Sequence, residues 1–156
     1  MERKVFIMIG LPGSGKSTKA LEITKDYAPW DFAIHSTDSY FMRDGVYCFN
    51  PKLLGVFHER NFQDFQKSLQ KNVSCVVVDN TNIRPRDRKP YIEEAKNMGY
   101  EVEEVVVGEF TDEAIKLYAA RNTHSVPLEA IQKMADRYLA AHKAPKDQFM
   151  TNGSES

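Results

Sequence analysis

The sequence of 156 residues has two cysteines, four histidines and one tryptophan. Cys48 and Cys75 cannot build a disulfide framework, and without a C-x-x-C spacing they offer no zinc site. A reduced, intracellular compartment, read as the cytoplasm, is the expectation. Histidine is too sparse and scattered for a metal centre. His35-Ser36-Thr37 makes a single H-x-T, whereas a two-histidine phosphodiesterase needs two, and His58, His124 and His142 supply no second. No two aspartates are spaced Asp-x-Asp, so an aspartyl-phosphate phosphatase motif is missing as well. Excess charge is also lacking: 21 basic against 22 acidic residues leave a net charge of −1. That balance argues against a grip along duplex nucleic acid, but it leaves open capture of a strand end by a few arginines. The N-terminal apolar run Val5–Ile9 ends in Gly10, too short for a membrane span and unlike a signal peptide. No membrane partner is expected.

At 42% hydrophobic and 28% charged residues, the composition is that of one globular domain. That domain is expected over residues 1–142, with 143–156 a flexible tail ending Thr-Asn-Gly-Ser-Glu-Ser. Behind the first apolar run stands Gly10-Leu11-Pro12-Gly13-Ser14-Gly15-Lys16-Ser17-Thr18, a G-x-x-x-x-G-K-S phosphate loop. Its glycines let backbone N–H groups close around a phosphate chain where side chains would intrude. Lys16 supplies a point charge to the terminal phosphates, and the Ser17 hydroxyl suits Mg²⁺. A nucleoside triphosphate, read as ATP with Mg²⁺, is the expected ligand.

Periodicity predicts strands at Lys4–Ile9, Phe32–His35, Ser74–Val78 and Tyr100–Val107. Helices are predicted at Ser17–Asp26, from Pro51 to about Gln70, from Pro85 to Met98, from a Thr111 cap to Arg121, and from Pro127 onward. Residues Ser36–Asn50 read as irregular, with Asp44-Gly45 a turn signal, and Asn122–Val126 as a break. Strands alternating with helices give an α/β fold: a P-loop kinase-like parallel sheet of four or five strands with helices on both faces.

Candidate site residues follow the strand ends. Asp38 could accept the proton of an attacking hydroxyl, or could cap a turn. Asp79 could help orient Mg²⁺ as a strand-end carboxylate, or close a local turn. Asn80-Thr81-Asn82 could wall a site or be an exposed turn. Arg88, in the basic run Arg84-Pro85-Arg86-Asp87-Arg88-Lys89, could meet substrate phosphate or mark a solvated helix start. Arg121 could reach a transferring phosphoryl group or answer a helix dipole.

Together these segments resemble the polynucleotide 5′-hydroxyl kinase family, in particular its phage-type kinase module. The resemblance runs from about Arg3 to Leu139 and rests on the phosphate loop and on Ser36-Thr37-Asp38-Ser39-Tyr40. It continues through Val78-Asp79-Asn80-Thr81-Asn82 with Pro85, then Gly99-Tyr100-Glu101-Val102, and ends with Arg121-Asn122 and Val126-Pro127. It implies that Asp38 is the general base, that Arg121 is an arginine of a C-terminal helical lid touching ATP phosphates, and that a nucleic-acid 5′ end is the acceptor. This chain departs from the pattern at two places. Phe41 stands where the family has a substrate-phosphate arginine, leaving Arg43 as the nearest replacement. Asn80 stands where the family has an aspartate, the carboxylate being Asp79. The segment Asp44-Gly45-x-Tyr47-x-Phe49-x-Pro51, with His58 and Asn61 beyond it, is similar to a P-loop domain of a eukaryotic ubiquitin-ligase-binding protein.

Overall fold

The computed structural model describes residues 2–122 and 126–142; the expected tail, His124 and the middle of the expected break lie outside them. In chain order the elements are β1 (Lys4–Ile9), α1 (Lys16–Thr24), β2 (Phe32–His35), β3 (Met42–Arg43), β4 (Val46–Tyr47) and α2 (Leu54–Gln70). Then follow β5 (Cys75–Val78), α3 (Pro85–Asn97), β6 (Glu101–Val106), α4 (Asp112–Arg121) and α5 (Leu128–Ala141). The main sheet has four parallel strands in the order β2-β5-β1-β6. β5 at the centre is buried throughout, which is why its sequence is continuously apolar rather than alternating.

Register sorts the side chains onto two faces. Val5 pairs with Val76 and Ile7 with Val78, and all four pack on Phe65 and Leu69 of α2 and on Tyr91 and Ala95 of α3. Met8, Cys75 and Val77 point the other way, onto Ala20 of α1. Helices therefore cover both faces. A third cluster lies beyond the carboxyl ends of the strands, where Leu11 and Ile83 meet Ile115 and Tyr118 of α4 and Ile131 and Ala135 of α5. It anchors the α4–α5 pair beside the phosphate loop.

The segment Ser36–Asn50, expected to be irregular, is ordered. A 3-10 turn spans Thr37–Phe41, and β3 and β4 form an antiparallel hairpin pairing Met42 with Tyr47 and Arg43 with Val46. Asp44 (φ 51°) and Gly45 (φ 80°) close it with the two positive-φ residues that a tight hairpin turn needs. The Cys48 N–H donates to the Phe41 carbonyl at 2.8 Å and extends the pairing past β4.

Two residues of the basic run at the start of α3, Arg84 and Arg88, are structural, while Arg86 and Lys89 are exposed. Asp87 accepts from the Arg84 backbone N–H at 3.1 Å and is bridged by the Arg84 guanidinium at 3.3 Å, so the pair closes the first turn. Arg88 is buried, 4% exposed. Its Nε donates to the Asn82 carbonyl at 2.7 Å, and its Nη2 donates to the Ile83 carbonyl at 3.0 Å and meets His142 Nε2 at 2.8 Å. Arg88→Met, which keeps the bulk, leaves those two carbonyls without a donor. We predict a loss of about 3 kcal/mol of stability, read as a lower denaturation midpoint, with ATP affinity of the folded protein unchanged.

His35, at the end of β2, hydrogen-bonds Ser68 Oγ at 2.8 Å and meets the Phe65 ring edge-on. Burial pulls its pKa from 6.5 down to about 4. A folded pKa below the unfolded value means that the unfolded chain takes up the proton first. Stability from this group is therefore whole above pH 6.5 and drains as pH falls toward about 4, by no more than about 3 kcal/mol. Denaturant unfolding across that range should lose this component of its slope in His35→Gln.

Candidate active site

The phosphate loop leaves β1 at Gly10 and enters α1 at Lys16. Gly15 (φ 101°) precedes α1, and no side chain caps the helix, so no side chain occupies the N–H groups of its first turn. An uncapped helix start behind a glycine-rich loop fits a phosphate group. Gly13 (φ 82°) runs directly under α4: a Cβ there would lie 2.6 Å from the Tyr118 carbonyl oxygen. Lys16 Nζ donates to the Leu11 carbonyl at 3.2 Å and so lies folded along the loop. Burial lowers its pKa from the ordinary 10.5, with the charges of Asp79 and Asp38 opposing that shift.

Asp79, 7% exposed, terminates β5, and its backbone N–H extends the ladder to the His35 carbonyl at 2.9 Å. Ser17 Oγ donates to Asp79 Oδ2 at 3.0 Å. A hydroxyl beside a carboxylate is a pair of hard oxygen donors, and Mg²⁺ needs no more from protein when phosphates and water supply the rest. The two residues fit that ion. Among the described residues there is no group of three or more His, Cys, Asp or Glu side chains that could hold a metal by themselves.

Asp38 sits in the 3-10 turn after β2, where Tyr47 OH donates to its Oδ1 at 3.2 Å. The turn is fixed from beneath: the Thr37 N–H donates to Asn80 Oδ1 at 2.9 Å, and Thr37 Oγ1 hydrogen-bonds His58 Nδ1 at 3.0 Å. The Tyr91 hydroxyl of the core accepts from Asn61 Nδ2 at 3.1 Å. Arg121, at the end of α4, lies over the Tyr118 ring and donates through Nε to the Gly13 carbonyl at 2.8 Å. Asn122 accepts from the Val126 N–H at 2.9 Å and donates to the Val126 carbonyl at 3.2 Å.

A cleft of about 690 Å³ joins these groups. Pro12, Gly13, Gly15, Lys16, Ser17, Thr18, Asp38, Asp79, Asn80, Thr81 and Arg121 all line it. Five expected residues do not. Gly10 and Ser14 lie under the loop, the Gly10 N–H spent on the Thr81 carbonyl and the Ser14 N–H on the Leu11 carbonyl, both at 3.1 Å. Asn82 is buried, and its Nδ2 donates to the Met8 carbonyl at 2.7 Å, standing in for a strand partner. Arg88 holds the turn just described, and Arg43 is exposed on the hairpin outside the cleft. Sequence reasoning assigned no site role to several further lining residues, among them Tyr47, Phe49, His58 and Asn122. Tyr47, Phe49 and His58 belong to the second resemblance and Asn122 to the first, and those resemblances were the signals that could have found them.

Fold and loop together define a P-loop, kinase-like nucleotide-binding domain. A protein-family model described as an AAA domain matches residues 5–141, and the chain belongs to that family. It is 35% identical over 134 residues to human NEDD4-binding protein 2, a match covering 86% of this chain and 8% of that protein. Among solved structures, it superposes on a chain of the Pnkp1/Rnl/Hen1 RNA repair complex with a TM-score of 0.68 at 17% identity, covering 90% of this chain and 45% of that one. Kti12 from Chaetomium thermophilum, solved with ADP-AlF3, gives a TM-score of 0.62 at 16% identity, covering 96% of this chain and 86% of that one. Likeness at such identities is a likeness of fold. Among the described residues no helix is long and apolar enough to cross a membrane.

Lys16→Ala should weaken Mg-ATP binding by about 10- to 150-fold, the range for a lost charge-assisted hydrogen bond, measured by calorimetry at neutral pH. In the parent protein, affinity should fall on the alkaline side from below pH 10.5, because the buried ammonium of the free protein gives up its proton early.

Proposed function

We propose that the domain is a Mg-ATP-dependent kinase that transfers the γ-phosphoryl group to the 5′-hydroxyl of a DNA or RNA end. One observation carries the reading: Asp38, held by Tyr47, faces the same cleft as Lys16, Ser17 and Arg121. A pure nucleotide binder needs no carboxylate at that place. The ADP-AlF3 in the Kti12 structure supports a nucleotide at this loop, and the RNA repair complex supports a nucleic-acid acceptor.

The loop backbone and Lys16 would hold the phosphates, and Ser17 with Asp79 would hold Mg²⁺, which when bound would supply charge neutralisation there. Asp38 takes the proton of the acceptor hydroxyl as its oxygen forms the new bond to the γ-phosphorus. The bond from that phosphorus to the β,γ-bridging oxygen breaks, and ADP leaves with the electron pair. Arg121 moves from the Gly13 carbonyl onto the transferring group, where negative charge is spread over its oxygens. Asn80 and Thr81 complete the acceptor side.

A second reading, transfer to a small metabolite or to a modified-base hydroxyl, is favoured by the near-neutral charge and by the single Lys and single Arg, Lys16 and Arg121, that line the cleft among the described residues. Matched 5′-OH DNA and RNA oligonucleotides with γ-labelled Mg-ATP separate the two. Asp38→Asn should lower kcat by about 10²- to 10⁴-fold, the usual weight of a general base, while ATP affinity stays near that of the parent. Undiminished transfer in this variant would remove Asp38 from the chemistry. Binding of ATP without label on any oligonucleotide would favour the small acceptor.

A further inference from the structure

The cleft has two unlike ends. Both of its strong cations, Lys16 and Arg121, sit at the phosphate loop. The wall beyond Asp38 is built from Tyr47 and Phe49 of the hairpin segment and from Leu54 and His58 of α2, and it carries no lysine or arginine among the described residues. Burial lowers the pKa of His58 below the ordinary 6.5, which leaves it uncharged at neutral pH. Among the described residues this wall therefore offers a phosphate no lysine or arginine partner.

Tyr47 ends β4, and Phe49 follows two residues later, just past the Cys48 N–H bond to the Phe41 carbonyl. Their rings are stacked, with centroids 6.3 Å apart and planes within 19°. Phe41, 1% exposed, supports both from beneath, its centroid 6.1 Å from Tyr47 and 5.0 Å from Phe49. Phe57 backs Phe41 at 4.7 Å. Phe49 itself is 51% exposed and lines the cleft, while Tyr47 reaches Asp38 through its hydroxyl.

We infer that Tyr47 and Phe49 form a stacking shelf for the terminal nucleobase of the acceptor, so that the acceptor is recognised by its flat ring rather than by its phosphates. The inference rests on the transfer reading above and deepens it. Stacking is indifferent to which base is present, because every base has a π-face. The Tyr47 hydroxyl ties the shelf to the carboxylate, so the surface that receives the base also orients the group that takes the proton. Phe49 is thereby a binding residue and Tyr47 a positioning residue. Single-stranded and frayed ends fit such a shelf; a terminal base still paired and stacked in a duplex does not.

The test uses single-stranded 5′-OH oligonucleotides that are identical except for an intact or an abasic terminal nucleotide, with wild type, Phe49→Ala, Phe49→Leu and Phe49→Trp. KM and kcat are measured with Mg-ATP, and equilibrium binding with its β,γ-imido analogue. Removing the terminal base should raise the wild-type KM by about five- to 150-fold, the range of one base–aromatic stack. Phe49→Ala should raise KM similarly on the intact acceptor and add little on the abasic one, the non-additivity that marks a shared contact. Phe49→Trp should restore tight binding, and Phe49→Leu should not. Equal KM for intact and abasic ends, or additive effects, would overturn the shelf. If no oligonucleotide is phosphorylated, the transfer reading fails on its own, and binding with the analogue decides the shelf. Base-dependent binding lost in Phe49→Ala upholds it; base-independent binding, or none, overturns it.

Discussion

The cleft depends on how closely two backbones can pass. Gly13 lies against the Tyr118 carbonyl, and no side chain heavier than hydrogen fits between the loop and α4. That approach lets Tyr118 work on several partners at once: its hydroxyl accepts from the Glu109 N–H at 2.9 Å, and its ring underlies Arg121. It also brings Leu11 into one apolar cluster with Ile115 and Ile131. Loop, α4 and α5 are therefore one packed unit rather than a loop with a loose cover.

The sheet supplies the other half of the geometry. Because the strands are parallel, their carboxyl ends lie together, and β1, β5 and β2 deliver the loop, Asp79 and Asp38 side by side. The ladder bond from the Asp79 N–H to the His35 carbonyl fixes how far apart the two carboxylate-bearing segments begin. Asn80 then ties the turn carrying Asp38 to the turn carrying Asp79, accepting from the Thr37 N–H at 2.9 Å. Site geometry is thus set by backbone register and core contacts, which are stiff, more than by the acidic side chains themselves.

Much of this was legible in the sequence, because central parallel strands and phosphate loops write themselves locally. β1 and β5 are continuous apolar runs, and no helix bound departed from expectation by more than three residues. What could not be read was tertiary. Each hairpin strand is two residues long, below any periodicity, and only Asp44-Gly45 announced it. A basic run ordinarily lies in solvent, and nothing local says that Arg88 is enclosed by the carbonyls of Asn82 and Ile83. Asn82 looked like part of a site wall because it neighbours Asn80 and Thr81, yet its positive φ (51°) turns its amide inward onto β1. Only the fold shows that Asp38 and Arg121, 83 residues apart in the chain, line one cleft.

On the proposed reading, the resting place of Arg121 bears on the end of the catalytic cycle. Its guanidinium is exposed, yet it already has a partner in the Gly13 carbonyl at 2.8 Å. A phosphate is the stronger acceptor, so on the proposed reading the arginine leaves the carbonyl for a bound triphosphate by exchanging one hydrogen bond for another. The exchange also runs backward. Once the γ-phosphoryl group has gone, the carbonyl competes with the diphosphate for the same donor, and each return of Arg121 to the loop loosens the hold on spent nucleotide. In a kinase of the proposed kind, the loop that grips the nucleotide would thereby carry its own rival for the arginine, and that rivalry would favour turnover over product trapping.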